Sequence, residues 1–85
     1  MTRDKVLNDL ITVTAVINPT GETVPTTLRW QERDYALIAI GRQWDSDEGR
    51  HILVETAGSE RFEIQLSRTD LLWRLKRAWL VDYAV

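Results

Sequence analysis

The four tryptophans of this chain constrain its fold more than any other feature, because the chain has only 85 residues and no cysteine. A domain of this size buries only roughly 60–65% of the surface that its unfolded chain exposes, and no disulfide supplements so small a core. Each tryptophan can remove about 150–250 Å² from water. We therefore expect a single domain, residues 1–85, with a core built around indole rings.

Several segments between the tryptophans have the alternation that is typical of β-strands. Residues 61–66 alternate polar and apolar side chains, which puts Phe62, Ile64 and Leu66 on one face. Residues 10–17 are rich in β-branched side chains and are followed by a proline and a glycine that favour a turn. Both patterns predict strands.

Turn signals divide the middle of the chain into further strands. Alternation puts Leu28 and Trp30 on the same inward face of one strand. Residues 35–40 are apolar on both faces, which predicts a central strand. The polar segments 45–49 and 57–60 each contain a glycine, and they predict hairpin turns.

The two ends of the chain are ambiguous. Residues 1–9 fit either a short helix or a frayed extension. Residues 70–82 have apolar side chains at helical spacing, and residues 67–70 before them resemble a capping box. The same region also alternates, with Trp73 and Trp79 at odd-numbered positions. Periodicity favours a helix there, and a strand is the alternative.

Together these patterns predict a mostly β fold, a small curved antiparallel sheet or barrel of five to six strands with a short terminal helix as an option. A chain with 44% hydrophobic and 28% charged residues lies in the globular range. The predicted core consists of Val13, Leu28, Trp30, Leu37, Ile38, Leu53, Phe62, Ile64 and Trp73.

Each tryptophan has an arginine within two positions, and the spacing predicts where each side chain points. Trp30 follows Arg29 directly, and Trp73 directly precedes Arg74. Neighbouring strand residues face opposite sides, so these two indoles should point inward and their arginines outward.

The other two pairs are spaced differently. Arg42 and Trp44, like Arg77 and Trp79, are two residues apart and would share a face of a strand. That spacing allows a cation–aromatic contact, either internal or facing a ligand. Indoles beside arginines also suit single-stranded nucleic acid, whose bases stack on aromatic rings.

Charge weighs against a general nucleic-acid binder. The net charge is −2, although the last 25 residues carry five basic and three acidic side chains. Affinity for phosphates depends on a clear basic excess. The basic cluster, formed by Arg68, Arg74, Lys76 and Arg77, is most often a solvated face. A protein partner or self-association is therefore favoured over nucleic acid.

His51 is the only histidine, and no cysteine or second histidine could complete a zinc site. A structural or surface position is the favoured interpretation, and a small hydrolase using His51 with Asp45 or Asp47 is the alternative. The segment Asp45-x-Asp47-x-Gly49 resembles the start of a calcium loop, but the twelfth position is Thr56 rather than glutamate. No metal, cofactor or catalytic residue is predicted, and we do not expect an enzyme.

Membrane insertion is not expected either. No apolar run approaches the roughly 18 residues that a membrane span requires, and the first residues do not form a signal peptide. The lack of cysteine fits a reducing compartment. The sequence therefore predicts a cytoplasmic protein.

A series of motifs carries a family resemblance. The motifs are Pro25-x-x-Leu28-x-Trp30-x-x-Arg33-x-Tyr35, Ile40-Gly41-Arg42-x-Trp44, Arg50-His51-x-Leu53-Val54, Phe62-Glu63-Ile64 and Trp73-x-Leu75-x-Arg77. Over residues 24–79 the chain resembles a family of small uncharacterised bacterial β domains. The resemblance implies a strand at residues 73–79, and it implies an association with proteins related to error-prone DNA polymerases. Gln31-Glu32 departs from the pattern, which prefers a glycine-containing turn there.

These observations lead to a functional hypothesis with one main alternative. The hypothesis is a non-catalytic binding or accessory module, linked through the resemblance to DNA repair polymerases. The alternative is a structural or homo-oligomerising β domain without a ligand. The candidate binding residues are Arg42, Trp44, Arg74, Lys76, Arg77 and Trp79.

Overall fold

A computed structural model of the chain describes residues 2–81, which form seven β-strands and no helix. The strands are β1 (Thr2–Leu10), β2 (Thr12–Ile17), β3 (Thr23–Trp30), β4 (Arg33–Ser46), β5 (Gly49–Thr56), β6 (Arg61–Ser67) and β7 (Trp73–Val81). The prediction of a mostly β fold is confirmed. The first segment is a strand, so the expectation of a helix or frayed extension at residues 1–9 is wrong for the part described.

The strands form one antiparallel sheet in the order β1-β7-β6-β5-β4-β3-β2. Strands β1 and β2 lie at opposite ends of this order although only Ile11 joins them. The Ile11 backbone N–H donates to the Trp73 carbonyl at 3.1 Å. The sheet has seven strands and is not closed, so neither the predicted count of five to six nor the barrel is confirmed.

Strand β4 connects two parts of the sheet. Its residues 33–36 pair with β3, and its residues 37–46 pair with β5. Beyond residue 36 the side of β4 that faces away from β5 has no strand partner among the described residues. Ile38 also has no partner on β5, because the register shifts between Leu37 and Ala39, and its side chain is 64% exposed. Residues 35–40 belong to a strand that lies between β3 and β5, but the expected burial on both of its faces and the core position of Ile38 are wrong.

The core lies on one face of the sheet, which we call the inner face. Phe62 is at its centre with 0% exposure, and Trp30 and Tyr35 meet its ring edge-to-face at centroid distances of 6.0 and 5.0 Å. Aromatic pairs favour this geometry over direct face-to-face stacking. The Trp30 indole N–H also donates to Asp9 Oδ2 at 2.9 Å, which ties β3 to β1. The fully assembled core comprises Leu28, Trp30, Tyr35, Ile52, Val54, Phe62, Ile64, Leu75 and Ala78.

The predicted core is confirmed in part. Leu28, Trp30, Phe62 and Ile64 are buried as predicted. Four further predicted residues are only partly buried, namely Val13, Leu37, Leu53 and Trp73. Val13, Leu37 and Trp73 pack against the core. Leu53 is the cross-strand partner of Glu63 and lies on the opposite face of the sheet, so its predicted core position is wrong.

The C-terminal segment is a strand, so the helix that periodicity favoured is wrong over the described residues. Opposite β6, Glu63 pairs with Arg77 and Ile64 pairs with Leu75, which leaves Lys76 as an extra residue in β7. Such a bulge changes which residues face inward along the strand. Leu75 and Ala78 are both fully buried as a result, and their spacing of three residues imitates a helix.

The β3–β4 hairpin turn is built from Gln31 and Glu32, which have φ angles of 52° and 62°. Positive φ at both central residues is the geometry of a two-residue turn that glycine and asparagine normally occupy. Side chains with a Cβ are strained in this conformation. The turn therefore forms without glycine or asparagine, at a cost in free energy.

Candidate functional site

The face opposite the core, which we call the outer face, carries an unusual row of polar side chains. Cross-strand partners lie on the same face of a sheet. The register pairs Trp44 of β4 with His51 of β5, His51 with Gln65 of β6, and Gln65 with Arg74 of β7. The next row, which contains Ile52 and Ile64, belongs to the inner face.

His51 is the centre of a hydrogen-bonded relay on the outer face. Its Nε2 is 2.7 Å from Ser46 Oγ, and its Nδ1 is 2.9 Å from Glu63 Oε2. The imidazole is 6% exposed, and the Trp44 ring stacks on it at a centroid distance of 5.0 Å with an interplanar angle of 7°. Both ring nitrogens are thus engaged, which is how a buried histidine is normally accommodated.

The partners of His51 differ from those considered in the hydrolase alternative. They are Ser46 and Glu63, whereas the Asp45 carboxylate contacts Arg50 at 3.3 Å. The sequence did not predict the contact between Glu63 and His51, because the β5–β6 register, rather than proximity in the chain, brings the two residues together. Only the alternation in residues 61–66 could have placed Glu63 on this face.

A serine–histidine–glutamate chain has the connectivity of a hydrolytic triad. A nucleophile must also open onto space for a substrate. Neither Ser46 nor His51 lines any of the four main clefts of the described residues. Ser46 Oγ instead accepts a hydrogen bond from the Glu48 backbone N–H at 3.2 Å. The geometry supports a role for the relay in fixing the β4–β5 turn.

The predicted contact between Arg42 and Trp44 is present. The Arg42 guanidinium carbon lies 5.3 Å from the Trp44 ring centroid, within cation–π range. Together with His51 these two residues form what we call the Trp44 cluster. Its indole is already contacted by an imidazole and a guanidinium.

The second predicted contact, between Arg77 and Trp79, is also present. The Arg77 guanidinium carbon lies 5.0 Å from the Trp79 ring centroid. Arg77 Nε also donates to Asp4 Oδ1 at 2.9 Å, and this hydrogen bond holds the pKa of Asp4 below its usual range. The same bond raises the pKa of Arg77. We call Asp4, Arg77 and Trp79 the Trp79 cluster.

The remaining predicted basic residues also have polar or acidic neighbours. Arg74 donates to both carboxylate oxygens of Asp70, at 3.2 and 2.7 Å, and this contact strongly lowers the pKa of Asp70. Lys76 Nζ donates to Asn8 Oδ1 at 2.9 Å and lies 3.7 Å from Glu48 Oε2. The basic side chains of β7 are therefore largely neutralised within the domain.

The six candidate residues share the outer face but do not form one patch. Trp44 is on β4 and Trp79 is on β7, with β5 and β6 between them. Three strand spacings correspond to about 14 Å across the sheet. Trp79 also pairs with Arg61 at the far end of β6 from Gln65. The Trp44 and Trp79 clusters are thus separate surfaces.

Gln65 is a polar residue that the sequence did not single out. It is 1% exposed, and its Nε2 has no hydrogen-bond partner within the part of the chain that the structure describes. It lines a pocket of about 290 Å³ on the outer face, which we call the Gln65 pocket. The lining residues are Asn8, Asp47, Glu48, Gln65, Ser67, Thr69 and Arg74. The alternation of residues 61–66 predicts that the Gln65 side chain is exposed, so its burial could not be predicted from the sequence.

Trp73 faces the inner side, as predicted, but it is only partly buried. It lines a cleft of about 380 Å³ with Arg50 and Gln43, below the β2–β3 turn at residues 20–23. Arg50 is held there by Gln43 Oε1 at 3.0 Å.

Residues 2–81 contain no cluster of three or more histidine, aspartate or glutamate side chains that could hold a metal ion. The same residues include no helix that could cross a membrane. Comparisons with protein-family models, with curated proteins and with solved structures found no match to the chain.

Proposed function

We propose that the domain is a non-catalytic binding module that recognises a protein partner through its outer face, with the Trp79 cluster as the principal contact. The observation that carries this proposal is that the basic residues on β7 are already paired with acidic side chains. Arg74, Lys76 and Arg77 each lie within 4 Å of a carboxylate on the domain itself.

This pairing disfavours nucleic acid as the ligand. Binding to phosphates gains free energy when basic side chains displace condensed counterions. A guanidinium that already holds a carboxylate has less to gain, and the net charge of −2 adds long-range repulsion. The outer face instead presents both charge signs beside an indole.

Such a surface has the composition of a protein interface. Tryptophan and arginine are the residues most enriched among those that dominate binding energy. Trp79 is partly buried and held in place by Arg77, whose side chain remains 43% exposed. An ordered aromatic side chain loses little conformational entropy when a partner covers it. The family resemblance points to a protein related to error-prone DNA polymerases as the partner.

The alternative is self-association, which exposed apolar side chains at sheet edges favour. Val6 on β1, Ile17 on β2 and Ile38 on β4 are all more than half exposed. However, a register shift interrupts each ladder that borders a free edge of the described sheet, in β1–β7, β2–β3 and β4–β5. Irregular edges discourage pairing between copies. A different protein is therefore the favoured partner.

The test measures binding of the purified domain to a protein related to error-prone DNA polymerases, by surface plasmon resonance. We expect Trp79→Ala to weaken binding roughly tenfold or more, as for a central interface residue. Ile38→Ala is the matched control, because it removes an exposed apolar side chain on a different surface. Circular dichroism verifies that both variants fold.

Two further measurements distinguish the competing ligands. Binding of a labelled single-stranded oligonucleotide that weakens with added salt would replace the protein partner with nucleic acid. A dimer mass by light scattering, unchanged in Trp79→Ala, would instead support self-association. Absence of any binding to the polymerase-related protein would overturn the proposed partner.

A further inference from the structure

The Gln65 pocket contains a buried donor, Gln65 Nε2, that makes no hydrogen bond with the residues around it. Both ring nitrogens of His51, its partner on β5, are engaged by Ser46 and Glu63. Arg74, its partner on β7, has only donors on its guanidinium. Ser67, two residues along β6, is hydrogen-bonded to Thr69 at 3.1 Å. The Gln65 amide N–H groups therefore form no hydrogen bond within the described domain.

A buried polar group without a partner destabilises a folded protein, so its presence calls for a compensating function. A ligand or an ordered water can supply the missing partner of such a group, and ligand pockets contain a few polar groups placed for this purpose. The pocket volume of about 290 Å³ accommodates a small polar group. The missing partner must supply a hydrogen-bond acceptor.

The charges around the pocket define the rest of the ligand. Among the residues that line the pocket, the carboxylates of Asp47 and Glu48 outnumber the single cation of Arg74, which is already paired with Asp70. An anionic ligand would be repelled by this surplus of negative charge. A neutral ligand with an N–H group could donate to the carboxylates of Asp47 or Glu48 at the rim, where both residues are exposed.

From this combination we infer that the Gln65 pocket binds a primary carboxamide. The ligand carbonyl accepts from Gln65 Nε2, and the ligand amide N–H groups donate to the acidic rim. This chemistry occurs in the asparagine and glutamine side chains of proteins and in free small amides. The inference goes beyond the proposed protein partner, because the pocket lies at the other end of β6 from Arg61, the neighbour of Trp79.

The first experiment is a titration of the ¹⁵N-labelled full chain, monitored by NMR. The probes are acetamide, the blocked residue N-acetyl-glutamine methylamide, and acetate. We expect both amides to shift the Gln65 side-chain amide signals and the backbone signals of Asp47 and Thr69, and acetate to leave them unchanged. Tighter binding of the blocked glutamine indicates a protein side chain as the source, and equal binding indicates a free amide.

The second experiment uses Gln65→Met, which removes the amide but keeps the length of the side chain. This variant should lose the response to acetamide and melt higher, by about 4 °C or more for a domain of this size. Gln43→Met is the matched control. Its amide oxygen already accepts from Arg50 at 3.0 Å, so the variant should not gain thermal stability and should keep the acetamide response.

The two experiments overturn the inference in different ways. Absence of shifts from both amides excludes a carboxamide site, whatever Gln65→Met does to stability. A lower melting temperature for Gln65→Met shows that the amide is satisfied in the free protein. Acetate binding as strong as acetamide binding replaces the carboxamide with an anion. None of these outcomes bears on the binding of the polymerase-related protein through Trp79.

Discussion

Strand β6 directs Phe62 and Ile64 to the inner face and Glu63 and Gln65 to the outer face, and little of any of these side chains is exposed. On the inner face the neighbours are apolar and interchangeable in kind, because dispersion and the hydrophobic effect have no direction. On the outer face each buried group needs a specific partner. The inner face therefore provides stability, and we propose that the outer face provides recognition.

The largest effect is expected from the inner face. Phe62→Ala removes a fully buried ring that contacts Trp30 and Tyr35, and it should lower the free energy of unfolding by about 3–5 kcal/mol. For a domain of this size such a loss leaves much of the protein unfolded. Urea denaturation followed by tryptophan fluorescence measures it. A loss below that of any outer-face variant would contradict the assignment of stability to the inner face.

A smaller loss is expected when the relay on the outer face is broken. His51→Phe keeps an aromatic ring against Trp44 but leaves Ser46 and Glu63 without their histidine partner. The free energy of unfolding should fall by about 1–3 kcal/mol, the cost of unsatisfied buried polar groups. Ser46→Ala, which removes only one end of the relay, is the control. Equal stability of His51→Phe and the native protein would mean that the relay contributes nothing.

A substitution in the β3–β4 turn tests whether a residue on neither face affects the free energy of unfolding independently of the outer face. Glu32→Gly relieves a positive φ of 62° and should raise the free energy of unfolding by about 1 kcal/mol. The gain should be the same in the native protein and in His51→Phe, because distant sites are additive. Thermal denaturation of the four combinations measures it. A gain that depends on His51 would show that the turn and the outer face are coupled.

The smallest effect concerns the exposed ion pairs. Hydrogen bonds from Arg77 and Arg74 lower the pKa of Asp4 and Asp70 in the folded state. A carboxyl group with a lowered folded pKa stabilises the protein above its unfolded pKa of about 4, and this contribution is lost as the pH falls through the folded value. Because the pairs are solvent-exposed, the loss is modest.

The corresponding measurement is the urea midpoint between pH 6 and pH 2. It should fall with acidity in the native protein and fall less in Asp70→Asn, which cannot titrate at this position. Glu22→Gln serves as a control for removal of an exposed carboxylate that holds no arginine in the described structure. Identical pH profiles for Asp70→Asn and the native protein would contradict the contribution of Asp70.

The sequence was sufficient where a strand alternates without interruption. Phe62 and Ile64 were assigned to the core in this way, and the spacing of Arg42 from Trp44 predicted their contact. Where a strand contains a bulge, alternation no longer predicts which side chains share a face. The extra residue Lys76 brought Leu75 and Ala78 to the same face, which made a strand resemble a helix.

The candidate site was only partly predictable for a different reason. The pairing of His51 with Glu63 depends on the register between two strands, and the single sequence does not determine that register. Gln65 occupies a position that alternation assigns to solvent. Its 1% exposure depends on side chains from other strands, such as Asn8 and Arg74 beside it, and a local sequence pattern contains no information about them.

The central claim, that the outer face is the recognition surface, is tested most directly by the four indole N–H signals of the tryptophans. In an NMR titration of the ¹⁵N-labelled domain with the polymerase-related protein, the Trp79 signal should shift or broaden. The Trp30 signal should stay unchanged, because its N–H is bonded to Asp9 beside the core. Shifts confined to the backbone amide signals of Ile17 or Ile38, at the free edges of the sheet, with the Trp79 indole signal unchanged, would contradict the account.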